Sequence, residues 1–165
     1  VIGTFTDPNT LAQIRPANPA QVPLRVFNAS IVVGQAKTVT DELRAVGFAS
    51  ILPQDNDPLY PAANYPQTAL RCYGEIRYGQ AGLAEARTVL IVAPCAQLVM
   101  DDRIDNSVDL SLGAKYELNP VTPAMKAQLT QIRNASVPPA VIEGQTQAPR
   151  PLPPIPPLPT ATCPS

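Results

Sequence analysis

The stretch from Leu24 to Phe48, LRVFNASIVVGQAKTVTDELRAVGF, constrains the fold more than any other part of the chain. Its opening residues read as a strand, with Leu24, Val26 and Ala29 turned one way and Arg25 and Asn28 the other. The period then changes. Val33, Ala36, Val39, Leu43 and Val46 recur at three- and four-residue steps, which predicts one apolar stripe along a helix. Gly47 follows as a left-handed helix terminator, and Phe48 is placed to pack back onto the last turn. A strand that feeds straight into an amphipathic helix requires a sheet beneath that helix.

The remainder supplies one. ASILP, from Ala49, is expected as a short second strand, and the Pro- and Asn-rich run QDNDPLYPAANYP from Gln54 as a long loop. From Gln67 the chain alternates again, with Leu70, Cys72, Gly74, Ile76 and Tyr78 on one face. Gly74 inside that pattern predicts a bulge or a close backbone approach. Gly79 to Ala93 is expected as a second helix closed by Pro94, and AQLVMDD and SVDLSLGAKYEL as two further strands. Thr122 and Pro123 open a third helix with Met125, Leu129 and Ile132 on its narrow apolar edge.

This order, β-α-β followed by β-α-β-β, gives an α+β two-layer sandwich. Its mixed sheet carries the two main helices on one face, because crossovers are right-handed. The expected organisation is an extended lead-in or linker at 1–21, a domain at 22–118, a short C-terminal helix within 119–140 that packs on or near the domain and a proline-rich, disordered tail at 141–165. A length of 165 residues suits one domain.

Composition removes function classes. The chain has no His, so Ser-His-Asp and Cys-His nucleophile sets are absent and the commonest zinc ligand is missing. A formal net charge of −1 argues against a nucleic-acid partner, which requires a basic excess. Prolines number 21, about 13% against a usual ~5%, and the excess gathers after Gln147. The acidic group Asp101, Asp102, Asp105 and Asp109 lacks the spacing of a calcium loop and reads as a solvated turn beside Arg103. No metal, cofactor or catalytic residue is expected.

Several of these stretches resemble the LytR C-terminal domain family of bacterial envelope proteins. In the first half they are VPLRVFNAS, Gly34, Ala36 and ELRAVGF; in the second, IRYGQAG, AEA, AQLVMDDR and SVDLSLGAKY, together spanning Val22 to Tyr116. The resemblance implies a stand-alone, non-catalytic module outside the cytoplasmic membrane that supports cell-envelope integrity. Such a module would be tethered by a segment preceding Val1 and would bind a wall glycopolymer, a lipid or an envelope protein. The alternative is an adaptor that contacts envelope enzymes through its proline-rich tail.

Candidate ligand-binding residues are Arg77, Tyr78 and Gly79 where a strand meets a helix, and Asn28 at the equivalent turn of the first half. Tyr60 and Tyr65 join them on the long loop, with rings suited to stacking on sugars. Against these stand plainer roles: a glycine-permitted tight turn, helix capping by Asn28 and Ser30, and tyrosines that pin the loop. Cys72 and Cys95 are expected to form a disulfide. The helix between them runs back antiparallel to its strand and returns its far end towards that strand's beginning.

Overall fold

The computed structural model describes residues 3–11, 13–116, 122–135, 141–142 and 145–146. Among these residues are eight strands and three α-helices: β1 (Thr4–Thr6), β2 (Leu24–Asn28), α1 (Gln35–Ala45), β3 (Asp55–Asn56), β4 (Gly74–Tyr78), α2 (Leu83–Val92), β5 (Gln97–Met100), β6 (Val108–Leu112), α3 (Pro123–Ala135), β7 (Val141–Ile142) and β8 (Gln145–Thr146). Strands β1 to β6 form a mixed sheet in the order β1-β5-β4-β6-β2-β3, and β7 pairs with β8 separately. β2 and β6 run parallel, β4 and β5 run parallel, and β4 and β6 meet antiparallel at the centre. The carboxyl end of β2 therefore lies at the opposite end of the sheet from the carboxyl end of β4.

Alternation along the strands divides the two faces. Leu24, Val26, Ile76, Tyr78, Leu98, Val108, Leu110 and Leu112 join Val39 and Leu43 of α1, Val89 and Leu90 of α2, and Leu129 and Ile132 of α3 in one core. The expected two-layer α+β sandwich with both main helices on one face is the architecture found. α1 ends as its sequence predicts: Gly47 takes φ +120°, its N–H donates to Arg44 O at 3.3 Å, and Phe48 N–H donates to Leu43 O at 3.1 Å. This pair of bonds satisfies carbonyls that the helix end would otherwise orphan, and Phe48 is fully buried over the last turn.

Some boundaries differ. The run ASILP is not a strand; Leu52 N–H reaches Leu24 O at 2.7 Å, but Pro53 has no N–H to continue a ladder, and pairing with β2 begins at Asp55. The stripe of α1 begins later than its spacing suggests. The helix starts at Gln35, and Val33 is 97% exposed. The strand from Gln67 forms only from Gly74, where a Cβ would stand 2.4 Å from Ser111 O, so β6 approaches too closely for a side chain.

That late start also undoes the expected Cys72–Cys95 bridge. Cys72 precedes the strand at a bend and packs with Ala29 and Leu70 in a small separate cluster, outside the core beneath α2. Cys95, past the end of α2, is an exposed free thiol, so it is not the partner of Cys72, which is disulfide-bonded. Cys163 and most of the proline-rich tail lie outside the described residues.

The lead-in is part of the fold. β1 pairs antiparallel with β5 along one sheet edge, Leu11 is buried in the core, and Ala17 N–H donates to Ala84 O at 3.1 Å. Thr88 Oγ1 returns the contact by donating to Ala17 O at 2.7 Å. With α3 also packed on it, α2 is buried on nearly every side from Ala86 to Val92.

Candidate functional site

Two regions gather the expected site residues: the sheet face opposite the helices, and the sheet end where β2 leaves for α1.

The open face would expose Glu75 and Arg77 of β4 and Ser111 of β6, but the loop after β3 covers them. Asp57 N–H donates to Asn28 O at 3.0 Å, which carries the loop over the sheet. Arg77 then grips it: Nη2 and Nη1 donate to Asp57 Oδ2 and Oδ1 at 2.7 and 3.2 Å, and Nε donates to Glu75 Oε2 at 3.1 Å. Ser111 Oγ donates to Asp57 Oδ2, and Leu59 N–H to Asp57 Oδ1 at 2.9 Å. Tyr60 closes the cluster, donating its hydroxyl to Glu75 Oε1 at 3.2 Å and setting its ring 5.6 Å from the Arg77 guanidinium carbon.

Asp57, Glu75, Arg77 and Ser111 are all buried, and each carboxylate is hydrogen-bonded to the one guanidinium they share. Burial alone would weaken the Arg77 cation. The hydrogen bonds and charge of Asp57, followed by Glu75, more than reverse that, and its affinity for the proton is raised. Burial first, then the Glu75 carboxylate, likewise raises the Tyr60 hydroxyl above its ordinary range. The arrangement suits a clamp that fixes the loop.

The other candidates disperse. Tyr78 points into the core, where its hydroxyl meets Thr6 Oγ1 at 2.8 Å. Gly79 is a close-contact glycine, since a Cβ there would stand 2.2 Å from Arg103 O. Arg103 itself is held by Asp101 at 2.7 Å and Asp109 at 2.9 Å. Tyr65 lies on the loop, 56% exposed. Among the described residues no group of three or more His, Cys, Asp or Glu side chains is placed to hold a metal ion.

Asn28 belongs to the second region. Its Nδ2 donates to Val32 O at 2.8 Å and its Oδ1 accepts from Ser30 N–H at 3.0 Å. The single Ser30 hydroxyl proton is shared between Asn28 Oδ1 at 2.8 Å and Gln35 Oε1 at 2.7 Å, while Gln35 Nε2 donates to Tyr116 O at 2.9 Å. Asn28 and Ser30 thus brace the β2–α1 loop and do not cap the helix, whose N-cap is Gly34 at φ +80°.

A cleft of about 230 Å³ opens beside this brace, lined by Asn28, Gly34, Lys37, Gln54, Asp55 and Asn56. It lies at the carboxyl ends of β2 and β3, where sheets with crossover helices commonly take ligands. Sequence reasoning missed Asp57, Glu75, Ser111 and Gln35. The polar residues at strand positions facing away from the helices were the one available signal.

The family model described as LytR cell envelope-related transcriptional attenuator (LytR_C) matches residues 21–116, more than half of the chain. The chain belongs to this LytR C-terminal family. It is also 34% identical over 139 residues to the cell envelope integrity protein Cei of Mycobacterium tuberculosis, covering 84% of this chain. It spans 62% of the length of that relative. A crystal structure of the soluble domain of a conserved hypothetical secreted protein from Mycobacterium marinum superposes with a TM-score of 0.72. The two are 34% identical, and the match covers 90% of each chain. The LytR_C segment holds the sheet core, both main helices and the Asp57–Arg77 clamp, whereas β1 and α3 lie outside it.

Proposed function

We propose that this chain is a non-catalytic extracytoplasmic module that supports cell-envelope integrity, tethered to the cytoplasmic membrane and binding a wall glycopolymer. The observation that carries this reading is the 34% identity to the cell envelope integrity protein over 84% of the chain. The geometry is compatible with binding. The buried carboxylates Asp57 and Glu75 are engaged with Arg77, while the cleft beside Asn28 presents exposed Gln54, Asp55 and Asn56, groups suited to sugar hydroxyls.

Two measurements test it. Titration of the isotope-labelled domain with soluble wall glycopolymer fragments should move the amide resonances of Lys37 and Gln54 to Asn56. Expression of the full-length protein should restore detergent resistance to a strain lacking its gene. Turnover of a polyprenyl-phosphate-linked glycan by the purified protein, or a titration that leaves those amides unmoved, would overturn the reading.

A further inference from the structure

The β2–α1 loop displays three consecutive branched apolar side chains to water: Ile31 is 62% exposed, Val32 50% and Val33 97%. Nothing about helix formation requires this, since α1 begins only at Gln35. The loop is nonetheless held in shape from below. Asn28, Ser30 and Gln35 are buried, at 8%, 2% and 3% exposure, and their hydrogen bonds to one another, to Val32 and to Tyr116 fix the loop base. A buried polar network that rigidifies a water-exposed apolar tip is consistent with a docking surface.

Cations lie at the same end of the sheet as the tip. Ala114 N–H donates to Leu70 O at 2.7 Å and Lys115 N–H to Cys72 O at 3.1 Å, which brings exposed Arg71 and Lys115 to the same end of the sheet. Neither forms an ion pair among the described residues. Lys37, paired with Asp41 at 2.7 Å, stands on the first turn of α1. The described carboxylates near this end include Asp55 on the neighbouring strand and Glu42 of α1, whose charge reaches Tyr116 beside Lys115, while Asp57 is buried under Arg77.

We propose that this end of the domain docks on an anionic lipid surface, with Ile31, Val32 and Val33 entering the interface and Arg71 and Lys115 meeting lipid phosphates. Two features favour lipid over a protein partner. The apolar group is a protruding tip of Ile and Val, whereas protein hot spots are dominated by Trp, Tyr and Arg seated in pockets. The cations at its end of the sheet complement phosphate headgroups. The proposal deepens the envelope placement above by naming a lipid contact of that module.

The test is co-sedimentation of the full chain with phosphatidylglycerol-rich and with pure phosphatidylcholine vesicles at low and high salt. Binding is expected on the anionic vesicles and should weaken as salt rises. Val33→Asp should lower the partition constant roughly tenfold. Arg71→Glu and Lys115→Glu should each lower it by at least roughly fivefold. Thermal midpoints of all three variants should match the parent, because the altered side chains are exposed. Equal binding to both vesicle types, undiminished binding of Val33→Asp, or no binding at all would overturn the proposal. Glycopolymer titration and strain complementation read the envelope role separately, so a failure here is distinguishable from a failure there.

Discussion

Arg87 is the residue least explained by its surroundings. It sits in α2 with no exposed surface, and among the described residues none of its three guanidinium nitrogens has a hydrogen-bond partner. Burial pulls its pKa down. A buried cation without a partner is destabilising, so Arg87→Met, similar in length and apolar, should raise stability by ~1–4 kcal/mol in a denaturant titration. A lower denaturation midpoint for that variant would show that the guanidinium is compensated.

Tyr116 makes the opposite kind of statement. Burial, followed by the Glu42 charge, pushes its hydroxyl from 10.0 up to about 12. The folded state therefore holds this proton more tightly than the unfolded chain does. The resulting stability is complete below pH 10 and is lost as pH rises towards 12. The parent's denaturation midpoint should fall across that window more steeply than that of Tyr116→Phe. Neither residue announced its burial in the sequence: an Arg within a helix and a Tyr after a strand are ordinary surface residues until their cover is known.

Among the elements, α1 was the most legible, and its limits show what periodicity can and cannot report. Val39, Leu43, Gly47 and Phe48 fall where spacing and helix-stop chemistry put them, because each is fixed by contacts within a few residues. Val33 obeys the same spacing and faces solvent, because periodicity does not record where a helix begins.

The loop over the open face was legible as a loop, but its clamp was not, since Asp57 and Arg77 meet across 20 residues of sequence. Removing Asp57 strips the buried Arg77 of its two-point carboxylate partner and leaves only Glu75 opposite it. Asp57→Ala should therefore cost ~3–5 kcal/mol and increase proteolysis between Gln54 and Gln67, whereas loss of the exposed Lys37–Asp41 pair should leave the denaturation midpoint nearly unchanged. Equal effects would mean that the clamp contributes no more than a surface pair.

The cysteines make a related point about placement. Alkylation without reductant should label Cys95, and Cys72 should become accessible only after reduction. Labelling of Cys72 in the native, oxidised protein would contradict the structure. The expected bridge assumed that the strand ran on through Cys72, and the bend before Gly74 removes that assumption.

At the scale of the whole molecule, the sheet order and the shared helix face followed from right-handed crossovers and alternation, which act on any chain with this element order. The contribution of the lead-in did not follow, because Val1 to Val22 carries no period to read. Only the contacts show that Leu11, Ala17 and β1 complete the packing around α2 and β5.

That wrapping separates the segment recognised as a family from the unit that folds. Cut down to residues 21–116, the chain would lose β1, Leu11, the Ala17 bonds and α3, and the outer surface of α2 would meet water. Such a fragment should aggregate on expression where the full chain does not. In fusions or chimaeras that graft this module behind another domain, the junction should consequently lie before Thr4 and after Ala135.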